Sequence, residues 1–197
     1  MASGKKGARR QGATLVFIDE SGFSQRPSVR RTWAPCGQTP TVEDHVNWQR
    51  LAAIGGIGWR PGQSPTRLFL SLHRGSVKQP QIVAYLRSLR QHIRGPVVVV
   101  WDNLAAHRGQ EVREYAARNA SWLRLEFLPP YAPELNPVEQ IWANFDAQEL
   151  ANYTADDLDQ LAGQIERSKR RLRRADHGLM FIKHCRLISD QELKRIM

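Results

Sequence analysis

The chain has 197 residues, 41% of them hydrophobic and 24% charged. That length holds one domain of ordinary size, able to bury roughly 70% of its unfolded surface, and the balance excludes collagen-like, disordered and membrane classes. Lys and Arg number 29 against 19 Asp and Glu, for a net charge of +10, and most of the cations are Arg. A guanidinium binds phosphate through two bonds at once, so this excess points to a polyanionic partner such as nucleic acid.

Residues 1–12 (MASGKKGARRQG) read as a basic flexible arm. The apolar stretch behind them, Ala13 to Ile18, is broken by Asp19 and Glu20, which is unlike a signal peptide. That stretch predicts a strand ending at Asp19-Glu20-Ser21-Gly22. Residues 24–47, rich in Arg, Pro, Gly and Thr around Trp33, predict a loop or hairpin. Residues 49–57 and 66–72 read as two strands about the turn Arg60-Pro61-Gly62. Ile82, Val83, Leu86, Leu89 and Ile93 recur at helical spacing, and Gly95-Pro96 stops that helix. Val97-Val98-Val99-Val100-Trp101 has no alternation and predicts a strand buried on both faces. A short helix over Gln110 to Arg118 precedes Leu123, Leu125 and Phe127, which alternate with Arg124 and Glu126 as a half-exposed strand. After the stiff turn of residues 128–133, a helix starts at Asn136-Pro137 with Val138, Ile141, Trp142 and Phe145 on one face. From Thr154 the chain is helical and basic. The series is an α/β pattern with a mixed sheet, in which ligands gather near strand ends. Cys36 and Cys185 have no CxxC partner, which argues against a disulfide scaffold or zinc site and fits a reducing, intracellular compartment.

Two carboxylates close hydrophobic strands: Asp19 and, after four valines and a tryptophan, Asp102. An ionised Asp in such surroundings needs hydrogen bonds or a cation. Either could instead cap the following loop. Glu139 fits a capping box, with Asn136 as N-cap, Pro137 at N1 and the Glu139 side chain reaching back to the Asn136 amide. It also sits at the edge of the apolar helix face and can turn toward the sheet. Three acids converging on strand and helix ends suit Mg²⁺, which takes a few carboxylates and keeps its remaining waters for substrate phosphate.

Three segments together resemble the DDE transposases, specifically the mariner-related bacterial insertion-sequence group. They are Phe17-Ile18-Asp19-Glu20-Ser21-Gly22-Phe23 with the Arg31-Thr32-Trp33 segment, Trp101-Asp102-Asn103 with His107, and residues 128–139 (LPPYAPELNPVE) with Trp142. The match runs from about Ala13 to Leu150, with 36 residues between Asp102 and Glu139. The resemblance implies a ribonuclease H-like fold, a mixed five-stranded sheet flanked by helices, over residues 13–150. A basic helical C-terminal extension would occupy 151–197. Asp19 would sit on the first strand, Asp102 at the end of the fourth and Glu139 on the helix after the fifth. In this family the three acids bind two Mg²⁺ or Mn²⁺ ions, cut DNA at transposon ends and join the freed 3′-hydroxyl to target DNA. Asp19, Asp102 and Glu139 are therefore the candidate catalytic and metal-binding residues, with Glu20, Asn103, His107 and Asn136 as candidate supports.

The implied partner is double-stranded DNA, transposon ends and target alike, held by a homodimer in the bacterial cytoplasm at the nucleoid. Relatives carry an N-terminal helix-turn-helix region, whereas here about a dozen residues precede the first strand. The resemblance is thus to the catalytic half, with end recognition expected of a separately encoded helix-turn-helix partner. Many relatives place Lys or Arg where this chain has Asp146, seven residues after Glu139 and on a similar face, so one backbone contact is expected to be missing. His107 is open to three roles: contacting a phosphate, positioning a metal ligand, or capping a helix start. Trp33, flanked by Arg30 and Arg31, either stacks on an unpaired base or anchors a hairpin by packing. Arg167, Lys169, Arg170, Arg171, Arg173 and Arg174 crowd into eight positions, a run that repels itself and favours DNA over a merely solvated face. A rival reading is a catalytically inactive, sequence-nonspecific DNA-binding remnant of a transposase. A glycosidase working through two carboxylates is disfavoured by the cationic excess.

Overall fold

A computed structural model describes residues 12–26, 28–42, 49–60, 66–130, 132–174 and 177–185. Its sheet is built from β1 (Thr14–Ser24), β2 (Arg50–Trp59), β3 (Arg67–Arg74), β4 (Val97–Trp101) and β5 (Leu123–Phe127) in the spatial order β3-β2-β1-β4-β5. The first three strands pair antiparallel, while β1–β4 and β4–β5 pair parallel. This is the expected mixed five-stranded sheet.

Alternation along the central strands feeds two cores. Leu15 and Phe17 of β1, with Val98 and Val100 of β4, join one apolar cluster; Val16 and Ile18, with Val97, Val99 and Trp101, join the other. Helices α1 (Gln79–His92) and α2 (Gln110–Arg118) cover the second cluster through Ile82, Leu86, Leu89 and Val112. The first is covered by α3 (Val138–Asn144), α4 (Leu158–Arg174) and α5 (His177–His184) through Val138, Ile141, Ile165, Leu172 and Ile182. Helices on both faces explain the unbroken valine run of β4, all five residues of which are buried. No helix among the described residues is long and apolar enough to cross a membrane.

Three departures from the sequence expectations matter for function. First, β1 does not end at Ile18 but continues to Ser24, so Asp19 lies inside a strand, paired with Gly55 of β2. The Asp-Glu-Ser-Gly turn signal is overridden by the antiparallel partner and by Phe23, which is buried against Trp142 and Phe145. Second, the basic helical segment begins at Leu158, not Thr154. The Asp157 side chain accepts the Gln160 N–H at 2.7 Å and so caps the helix start. Third, α3 passes into a π-helical turn at Phe145–Glu149. Asp146, at the start of this turn, is exposed. The predicted turn at Pro61-Gly62 and the 1–11 part of the arm lie outside the described residues.

Candidate active site

Alternation along β1 puts Asp19 on the same face as Phe17 and Phe23, and Glu20 on the opposite one. Continuing the β1–β4 register two residues beyond Phe17↔Val100 brings Asp102 beside Asp19. The third acid arrives through Asn136, whose side chain works in two directions. Its Oδ1 accepts the Val138 N–H at 3.2 Å, as an N-cap does, while its Nδ2 donates to the Ile18 carbonyl at 3.1 Å. The start of α3 is thereby tied to β1 one residue before Asp19. The expected capping box does not form. The Asn136 amide donates to the Pro133 carbonyl at 2.8 Å, so the Glu139 carboxylate is not needed there.

Asp19 is 8% exposed, and its Oδ2 accepts the Trp142 indole N–H at 2.7 Å. Trp142 reads from sequence as plain core; its polar contact was missed because it lies 123 residues from Asp19. The ring packs against Gly55, where an added Cβ would come within 2.4 Å of Cη2 and 2.7 Å of Cζ2. A glycine opposite Asp19 is thus what admits the indole. Burial, in spite of the Trp142 bond, raises the Asp19 carboxyl to about 7, with repulsion from Glu139, Glu20 and Asp102 adding to the effect. Glu139 is half-buried, and its carboxyl is raised by burial and by Asp102. The three acids therefore share one electrostatic site.

Asp102 directs one oxygen inward: its Oδ1 accepts the Leu104 N–H at 3.0 Å and lies 2.7 Å from His107 Nδ1. The first bond is the loop cap expected of a strand-end Asp. His107 is 1% exposed, stacks on Trp101 at 4.3 Å and 5°, and places Nε2 2.8 Å from Glu20 Oε1. Burial works to lower its pKa, but the Glu20 bond and the charges of Glu20 and Asp102 raise it above the ordinary value. Asn103 is committed elsewhere. Its Nδ2 donates to the Leu128 carbonyl at 2.8 Å and its Oδ1 accepts from Arg108, which ties the end of β4 to the turn after β5.

All oxygens offered by Asp19, Asp102 and Glu139 are hard carboxylate donors, and their mutual repulsion is what a divalent cation would relieve. Among the described residues no three His, Cys, Asp or Glu side chains stand close enough to hold an ion. The three acids are thus at electrostatic rather than coordination range. By donor chemistry the residues fit Mg²⁺ or Mn²⁺.

The raised Asp19 pKa has a measurable sign. Between its ordinary value of 3.8 and about 7 the folded protein holds a proton that the unfolded chain has released. Stability therefore falls as pH rises through that window, by up to roughly 4 kcal/mol. Asp19→Asn keeps an acceptor for Trp142 and removes the titration. Thermal melts should show variant and wild type alike near pH 4 and the variant pulling ahead by pH 7 to 8. A gap constant with pH would refute the buried, coupled carboxyl.

The other expected DNA-contact residues divide. Arg30, Arg31 and Trp33 are exposed, Trp33 at 99%, so the packing-anchor reading of that tryptophan fails. Asn152 pins the base of their loop: its side chain bonds both the N–H and the carbonyl of Arg30, at 2.8 and 3.0 Å. The run on α4 is not a free stripe. Lys169 Nζ and Arg173 Nε donate to the Leu70 and Leu68 carbonyls of edge strand β3 at 3.5 and 3.1 Å, and Arg171 pairs with buried Glu149. These partners blunt the sheet edge and neutralise a buried acid. Arg167, Arg170 and Arg174 are exposed, as Arg171 and Arg173 remain despite their bonds, with Arg167 bonded to Gln164 and Arg170 to the Glu166 carbonyl.

Residues 14–162 match the DDE superfamily endonucleases, and the chain belongs to that family. In fold it is similar to the Mos1 transposase. A Mos1 paired-end complex with the left transposon end superposes with a TM-score of 0.65 at 15% identity, covering 99% of this chain and 57% of that one. The Mos1 strand transfer complex gives 0.60 at 17%, over 93% and 56%. The catalytic domain of Mos1 mariner transposase gives 0.57 at 16%, over 93% and 85%. The chain thus spans little more than half of the Mos1 chains in those two complexes and most of the Mos1 catalytic domain, and its fold is ribonuclease H-like. Among curated proteins none matches it in sequence.

Proposed function

We propose that this chain is a transposase catalytic domain that cleaves DNA at transposon ends and transfers the strand to target DNA. Asp19, Asp102 and Glu139 are its catalytic acids, and two Mg²⁺ or Mn²⁺ ions are its cofactors. The observation that carries the reading is the convergence of the three acids, whose repulsion and burial hold Asp19 near neutral pKa inside a chain of net charge +10. Asp19, Asp102 and Glu139 would hold the ions, whose chemistry there would be activation of a water or 3′-hydroxyl and stabilisation of the leaving oxygen. Asp19 and Asp102 each have one oxygen tied by a nitrogen donor, so each offers its other oxygen in a fixed direction. Asn136 holds Glu139 against β1, and the basic surface brings the phosphodiester backbone to this acidic centre. Exposed Arg30, Arg31, Arg167, Arg170 and Arg174 fit phosphate contact, which positions a duplex without reading bases. Trp33 is free to stack on an unpaired base. A homodimer on DNA completes the proposal.

One observation favours the second reading, a catalytically inactive DNA-binding remnant: the acids do not stand at coordination distance. Nicking of supercoiled plasmid, which needs no particular terminal repeat, separates the two. The transposase reading requires nicking in Mg²⁺ or Mn²⁺ that disappears in Asp102→Asn. The remnant binds DNA with the same steep salt dependence whether or not metal is present.

A further inference from the structure

We propose that Glu20 and His107 form a buried strut that sets the orientation of Asp102, which makes His107 a positioning residue for the second catalytic acid. The inference rests on the reading of Asp102 as a metal ligand. Glu20 occupies the face of β1 opposite Asp19, its side chain 15% exposed, and His107 is 1% exposed. His107 at 1% exposure cannot reach DNA, so the phosphate-contact role open to it in the sequence is closed.

Geometry supplies the positioning role instead. His107 Nε2 donates to Glu20 Oε1 at 2.8 Å, while Nδ1 donates to the Asp102 carbonyl at 3.3 Å and stands 2.7 Å from Asp102 Oδ1 as its ion-pair partner. Trp101, stacked at 4.3 Å and 5°, fixes the ring plane, and Glu20 fixes its rotation within that plane. The Leu104 N–H converges on the same Asp102 Oδ1 at 3.0 Å. One hydrogen bond and one ion pair thus hold the same oxygen, and Oδ2 lies outside both. The Asp102 side chain is 42% exposed and would otherwise sample several rotamers. Charge-assisted bonds of this kind are about twice as strong as neutral ones. Among the described residues Glu20 Oε2 is buried with no hydrogen-bond partner, and the side-chain bond this carboxylate makes is the one to His107. A buried acid with half its capacity unused is costly to keep, and the strut accounts for its place.

Asparagine and glutamine at position 107 separate the two ends of the strut. The amide nitrogen of Asn stands near Nδ1 and keeps the donor to Asp102; that of Gln stands near Nε2 and keeps only the donor to Glu20. Mn²⁺ binding, read from the free-ion EPR signal, should weaken about 10- to 100-fold in His107→Gln, the range typical for loss of a group that orients a metal ligand. In His107→Asn the loss should stay within about fivefold, the worth of one neutral hydrogen bond. Equal affinities in the two variants overturn the strut. Should His107→Gln not fold by circular dichroism, Glu20→Gln, which removes the charge and no volume, carries the test: several-fold weaker Mn²⁺ binding is expected, and unchanged binding overturns it. A wild type that binds no Mn²⁺, or an Asp102→Asn variant that binds it as well as wild type, would refute the metal-ligand reading itself.

Discussion

Glu139→Gln and Asp102→Asn are each expected to lower metal-dependent DNA nicking by a thousandfold or more, roughly 4 kcal/mol of transition-state stabilisation, with the fold retained. Glu139→Gln is the more informative of the two. A glutamate in the first turn of a helix has an ordinary structural use as a cap, and glutamine fills that use equally well. Here even that use is absent, because the Asn136 amide donates to Pro133 and Asn136 itself caps Val138. Removing the charge also removes its repulsion toward Asp19, so stability should hold or rise slightly. Loss of nicking without loss of melting temperature is then attributable to the carboxylate alone. Wild-type nicking rates in Glu139→Gln would remove Glu139 from the catalytic set.

The second large effect is expected at a residue with no functional group. In Gly55→Ala the new methyl meets the Trp142 ring at 2.4 and 2.7 Å and the Val138 Cγ1 at 3.3 Å, and the indole must move. Overpacking of this kind costs about 1–3 kcal/mol. The displaced indole also withdraws its N–H from Asp19, leaving a buried carboxylate without its donor, at a further cost of about 1–3 kcal/mol where Asp19 is ionised. Thermal melts should therefore show a larger loss at pH 8 than at pH 4, and nicking should fall with it. Trp142→Phe keeps most of the ring and loses only the N–H, so its deficit should be confined to the higher pH. If Gly55→Ala melts and nicks like wild type, the contact between Trp142 and Asp19 is not what orders this carboxylate.

The parts of the fold that were legible in the sequence are those governed by local periodicity. The valine run of β4, the alternation of β5 and the helix over Gln110–Arg118 form where the pattern puts them, because helices on both faces of the sheet reward that pattern. The spacing of the three acids was legible through its resemblance to a known family. What stayed hidden depends on partners far along the chain. β1 runs on past Asp19 because β2 and the ring of Phe23 hold it there, which no turn signal at Asp-Glu-Ser-Gly discloses. Lys169 and Arg173 read as part of a free cationic stripe, but their partners are β3 carbonyls 99 and 105 residues away. The bonds that aim the acids have the same character: Glu20 to His107 spans 87 residues and Asn136 to Ile18 spans 118. The sequence thus singled out the candidate acids, and the tertiary contacts supply their orientation.

Anomalous-difference crystallography of the protein soaked in Mn²⁺ examines the central claim directly. The account predicts density between Asp19 and Asp102, with the Glu139 side chain drawn in from its half-buried position to complete the oxygen donors. Density absent there at saturating Mn²⁺, or confined to acids such as Glu114 or Asp159 on the surface, would contradict it.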